Sequence, residues 1–141
     1  MRFMVIVKAN EQSERGVLPE DEQALAAMGK FNEELVKAGV MLAGEGLHPS
    51  SKGARITFGA GGKRTVVDGP FSETKELVAG FWLLQTKTRE ECIEWMKRAP
   101  FTPGDTVEIR QVHEADDFAV SDPTGELRAQ EKRQREKIAS R

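Results

Sequence analysis

At 141 residues the chain suits one domain with room for a tail, and it should bury roughly two-thirds of its unfolded surface, so a core needs neither disulfides nor metals. A net charge of −2, from 21 basic and 23 acidic side chains, excludes a global pull toward nucleic acid. The single Cys92 excludes an internal disulfide and suits a reducing cytoplasm, and the longest apolar run, residues 77–84, falls far short of the ~20 residues a membrane helix needs.

Residues 2–8 read as a strand, with Phe3, Val5 and Val7 on one side and Met4 and Ile6 on the other. The apolar part of that strand, closed by Lys8, is too short for a signal peptide. Residues 11–18 form a polar connection. Pro19 suits the first turn of a helix, with Glu20, Asp21 and Glu22 placed to complement its dipole. Ala24, Met28, Phe31 and Leu35 then share one helical face, and Gly39 stops the helix. A second strand at about residues 40–47 leads into His48-Pro49-Ser50-Ser51. Residues 54–58 and 64–67 flank Gly59-Ala60-Gly61-Gly62 and predict a hairpin. Those glycines lack the lysine-hydroxyl ending of a phosphate loop. A turn at Asp68 precedes a strand over residues 77–85, and Thr88 with Glu91 forms a capping box for a second helix that runs to Pro100. Residues 105–112 make the last strand, alternating Val107 and Ile109 with Glu108 and Arg110.

The order β-α-β, hairpin, β-α-β predicts a ferredoxin-like α+β sandwich, with both helices on one sheet face and residues 2–8 and 77–85 as central strands. Both of those strands are apolar on both sides, whereas a sheet with one face in water alternates apolar with polar. The second face is therefore covered. The cover is either the hairpin and tail of the same chain or, as the preferred reading, the sheet of a second subunit in a homodimer. Residues 1–118 form the domain and residues 119–141 a tail with six basic and four acidic side chains. Leu127 and Ile138 give the tail only a weak apolar stripe, so it reads as a solvated helix or frayed arm. Its interspersed carboxylates argue against a nucleic-acid-binding arm.

The densest run of chemistry is Asp68-Gly69-Pro70-Phe71-Ser72-Glu73-Thr74-Lys75-Glu76, at the mouth of the apolar strand that contains Gly80-Phe81. With Gly44-Glu45-Gly46-Leu47, Glu94-Trp95, Arg98-Ala99-Pro100, Gly104 and Glu108-Ile109-Arg110 in the same order, residues 1 to about 113 resemble the DGPF branch of the YCII-related proteins. The resemblance implies a dimeric α+β barrel-like fold, an uncharacterised biochemical role and a frequent link to extracytoplasmic-type sigma factors. Simpler YCII-type proteins carry a histidine on the first helix and an aspartate after the second. Here the first helix has no histidine and Ala99 precedes Pro100, so that acid/base pair is absent.

The candidate ligand residues are Asp68, Glu73, Lys75 and Glu76, with Glu108 and Arg110 on the last strand and His48 in the loop before the hairpin. Clustered carboxylates raise one another's proton affinity, as general acids and bases require. Lys75 either pairs with Asp68 or Glu108 or receives an anionic ligand. Each residue also has a structural reading. Asp68 can accept hydrogen bonds within its own turn, Phe71 can be core, and His48 and His113 can simply face solvent. Cys92 shares a face with Met96 and Ala99 and reads as core. No Cys/His spacing suits a metal, and carboxylates such as Glu45 and Glu76 have no specific spacing, so neither metal nor cofactor is expected. No catalytic residue is assigned. The expected function is a cytoplasmic homodimer that binds, and in one version transforms, a small polar metabolite near the turn at residues 68–71. The alternative is a noncatalytic regulatory or interaction module serving a sigma factor.

Overall fold

In a computed structural model, which describes residues 1–16 and 22–141, the alternation of Phe3, Val5 and Val7 with Met4 and Ile6 becomes strand β1 (Arg2–Lys8). Pro19, Glu20 and Asp21, expected at a helix start, lie outside the described residues. Where a plain connection was expected, helical turn α1 (Glu11–Glu14) forms, because Asn10 accepts from Ser13 N–H while the Ser13 hydroxyl accepts from Asn10 N–H. The chain continues through α2 (Glu22–Lys37), β2 (Met41–Gly46), β3 (Ala54–Phe58), β4 (Arg64–Asp68), β5 (Val78–Gln85), α3 (Arg89–Met96) and β6 (Val107–Gln111). These elements make up one unit, Met1–Gln111.

Its main sheet is antiparallel throughout, in the order β2-β5-β1-β6, so the two strands with apolar residues on both sides are the central ones. Phe3 lies opposite Leu84, and Val5 opposite Trp82. This side meets Phe31 and Leu35 of α2 and Cys92 and Met96 of α3 to form the core. Phe3, Val5, Leu35, Leu84 and Cys92 are fully buried, and burial of an aliphatic or aromatic side chain of this kind stabilises by roughly 1.5–3 kcal/mol. The opposite side pairs Met4 with Leu83 and Ile6 with Phe81, all half-buried, with Glu108 and Arg110 on the neighbouring β6.

Three local differences from expectation have simple causes. Ala24 is exposed, and the buried stripe of α2 is carried by Phe31 and Leu35, with Met28 at its margin, because core contact is confined to the helix's later turns. α3 ends at Met96 rather than Pro100, since Arg98 N–H and Ala99 N–H turn back to Trp95 and Met96 carbonyls in a tightened last turn. Its cap is the expected Thr88, but Glu91 accepts from Lys87 N–H instead of completing the box. The hairpin β3–β4 forms a separate two-stranded sheet, with Gly61 and Gly62 at positive φ in its turn and every strand residue exposed.

The second unit, Val112–Arg141, contains α4 (Glu126–Ala139). Asp122, 6% exposed, accepts from the backbone N–H groups of Arg128 (2.9 Å) and Leu127 (3.2 Å) and from Arg128 Nε (3.1 Å). Led by the Arg128 N–H, these donors hold its carboxyl below the usual range, against an opposing push from burial. Leu127 and Ile138 are exposed, as are most α4 residues. Among the described residues no helix is long and apolar enough to cross a membrane.

Candidate functional site

The turn at residues 68–71 is built by backbone contact. Gly69 N–H donates to the Gly53 carbonyl (3.0 Å) and Phe71 N–H donates to Ser50 Oγ (3.0 Å). The Ser50 hydroxyl in turn donates to the Glu14 carboxylate, which also accepts Ser50 N–H (3.1 Å). A Cβ on Gly69 would lie 1.7 Å from the Ser50 carbonyl oxygen, so only glycine lets the two loops touch. Phe71 is half-buried beneath the Arg55 guanidinium, 3.9 Å from the ring centroid. It is a platform for this chain's own arginine rather than a core side chain. Asp68 does not cap its turn, because the turn's donors are already taken by Gly53 and Ser50; its carboxylate is exposed.

The other charged candidates are dispersed. Glu73 precedes the short turn Thr74–Glu76 and Lys75 and Glu76 lie within it, all three exposed. Glu108 pairs with Lys8 (3.6 Å) and Arg110 (3.3 Å), which joins two of the candidates on one flank of the sheet. Lys75 reaches neither Asp68 nor Glu108 and, among the described residues, has no ion-pair partner. His48 is exposed, although its loop reaches the turn through Ser50. Among the described residues no His/Cys/Asp/Glu cluster could hold a metal ion. Burial, and next the charge of Glu91, push the Cys92 thiol up, so it is an inert core group.

Two cavities are better formed than this cluster. One, of about 350 Å³, is lined by Lys75 together with Lys8, Asn10, Gly104, Asp105 and Thr106. Asp105 is already engaged there by Thr102 N–H, the Thr102 hydroxyl and Asn10 Nδ2. Of the two lysines that line it, Lys8 is paired with Glu108.

The other cavity, of about 380 Å³, is floored by glycines. Register places Val7, Gly80 and Gly46 in one row across the helix-facing side, beside the row of Val5, Trp82 and Gly44. Gly44 and Gly46 of β2 and Gly80 of β5 project no side chain here, and the space is lined by Met28 and Asn32 of α2, with Phe101 as a wall. A Cβ on Gly44 would come within 2.7 Å of Met41 Cε and 2.9 Å of Trp82 Cδ1, and one on Gly80 within 2.8 Å of the Glu45 carbonyl. Around Gly46 nothing lies within 4 Å, so that position opens into the cavity. Trp82 stands edge-on between Phe31 and Phe101, with both centroid distances 6.0 Å, and donates its indole N–H to Asn32 Oδ1 (2.9 Å). That bond orients the amide and leaves Asn32 Nδ2 as a donor without a partner among the described residues. Neither cavity is lined by Asp68, Glu73, Glu76, Glu108, Arg110 or His48. The signal for the glycine-floored cavity was present in Gly44-Glu45-Gly46 and Gly80-Phe81, but it is readable only once the register aligns them.

Comparison with known proteins agrees on the family and is silent on chemistry. An uncharacterised protein of Rhizobium meliloti (strain 1021) is 31% identical over 78 residues, which is 55% of this chain. The match spans 62% of that relative's length. The solved 5-chloro-2-hydroxyhydroquinone dehydrochlorinase of Burkholderia phenoliruptrix AC1100, in complex with 2,5-dihydroxybenzoquinone, aligns over 82% of this chain and 98% of its own. Its TM-score is 0.43 at 19% identity, too distant to carry an argument about this chain. The family profile of the YCII-related domain matches residues 1–116, and the chain belongs to that family.

Proposed function

We propose that the YCII-related unit is a ferredoxin-like module that binds a small, ring-bearing, largely apolar molecule in the glycine-floored cavity, as a homodimer joined across the open sheet face. The observation that carries the ligand reading is the run of Gly44, Gly46 and Gly80 on the side of the sheet where neighbouring positions bury Val5, Trp82 and Leu84. The resulting space of about 380 Å³, open at Gly46, lies within the roughly 300–1,000 Å³ of small-molecule pockets. Trp82, Phe101 and Met28 supply apolar walls, and the Asn32 amide supplies one oriented donor. The chemistry is selective binding of an acceptor-bearing ring. Glu45 is the one titratable residue among the described residues that line it, so a reaction is not part of the proposal.

The test uses monocyclic aromatic amides and ketones as probes, with the Trp82 indole N–H resonance as reporter. Binding is expected to shift that resonance in the wild type. Gly46→Val places a side chain in open space and should abolish the shift while leaving the melting temperature unchanged. Probes that never move the Trp82 signal, or move it equally in Gly46→Val, would overturn the ligand reading.

A further inference from the structure

The β3–β4 hairpin is too exposed to be explained by its own unit. Ile56 and Val66 are cross-strand partners on one face, shared by Phe58, and they are 57%, 62% and 69% exposed respectively. On the other face Val67 is 51% exposed. An isolated two-stranded hairpin is marginal in water, and both of its strands are edges that offer unpaired backbone groups. Yet its root is fixed, by Gly69 N–H to the Gly53 carbonyl and by Arg55 over Phe71. An apolar ribbon is thus held out from a rigid base.

The same unit carries a second apolar surface without cover from the hairpin, the Met4, Ile6, Phe81 and Leu83 side of the main sheet. Charge points the same way. Lys52, Arg55, Lys63 and Arg64 on and beside the hairpin have no ion-pair partner among the described residues. Neither do the exposed carboxylates Glu45, Asp68, Glu73 and Glu76. Unpaired cations on and beside the hairpin, unpaired carboxylates and two apolar surfaces on one chain are what a self-complementary pairing uses, since in a two-fold dimer each patch meets its counterpart in the other copy.

We infer that the β3–β4 hairpin is a docking arm for a second copy of this chain, laying Ile56, Phe58 and Val66 on that copy's open sheet face while the second copy's arm does the same. The inference rests on the homodimer reading above and adds the element that makes the contact. Such an arrangement also supplies the hairpin with the cover its stability needs and lets the two sheet faces and two arms together reach the ~2,000 Å² of a lasting dimer interface.

The test is sedimentation velocity over a dilution series of the full chain, wild type and Ile56→Ser/Phe58→Ser, with circular dichroism on both. The expected result is a wild-type dimer and a double variant that keeps native secondary structure but dimerises about 100-fold more weakly, as loss of central apolar anchors does. A wild type that dimerises with the variant unchanged would overturn the arm and leave the homodimer standing. A wild type that is monomeric at every concentration would overturn both. A variant that unfolds while still monomeric would place the hairpin in the unit's own core, which also overturns the arm.

Discussion

The four-stranded sheet and the hairpin are made of similar residues and end in opposite environments. β5 buries Trp82 and Leu84 against the helices, while β3 and β4 expose Ile56, Phe58 and Val66. Both carry β-branched and aromatic residues. What separates them is that α2 and α3 return over one face of the main sheet and, among the described residues of this unit, nothing returns over the hairpin. Burial therefore follows from what a strand is given to pack on rather than from its own apolar content.

The largest expected effect sharpens that contrast. Leu84→Ala, at a fully buried position, should cost about 2–5 kcal/mol in urea denaturation. Val66→Ala should cost less than about 0.5 kcal/mol in protein dilute enough to be monomeric, as exposed substitutions do. Equal losses at both sites would mean the hairpin has a cover within its own chain, and the contrast would fail. Next in size is a glycine pair. Gly69→Ala drives a Cβ into the Ser50 carbonyl and should cost about 1–3 kcal/mol, visible as a lowered denaturation midpoint. Gly46→Ala enters open space and should leave the midpoint close to wild type. A mild Gly69→Ala would show that the loop at Ser50 can retreat and that the hairpin root is not rigid.

The smallest effect concerns Cys92, the thiol sealed on the helix-facing side. Its pKa is raised by burial, so below about pH 8.5, where folded and unfolded thiols both hold the proton, it makes stability no more pH-dependent. Above that pH the unfolded thiol ionises first, and stability should decline until the folded thiol ionises too. A Cys92→Ser variant should lose this alkaline decline. The native thiol should also react with a thiol reagent far more slowly than the urea-unfolded chain, and equal rates would show that this side of the sheet is not sealed.

Much of the fold was legible in the sequence, because period and end signals are local. The two-fold alternation marked β1 and β6, the three- and four-residue spacing of Met28, Phe31 and Leu35 marked α2, and Thr88 marked the start of α3. The order β-α-β, hairpin, β-α-β also identified residues 2–8 and 77–85 as the central strands, because the topology places them between the other two. The candidate site was legible only as a set of residue types. Density of charge singled out Asp68, Glu73, Lys75 and Glu76, yet the turn there is governed by backbone contact between Gly69 and Ser50, nineteen positions apart. The glycine-floored cavity depends on register between strands distant in sequence, and on Asn32 of α2 meeting Trp82 of β5. Local patterning decides which way each side chain can point. Only the tertiary structure decides what it points at, because a cavity or a contact belongs to two segments at once and is written in neither.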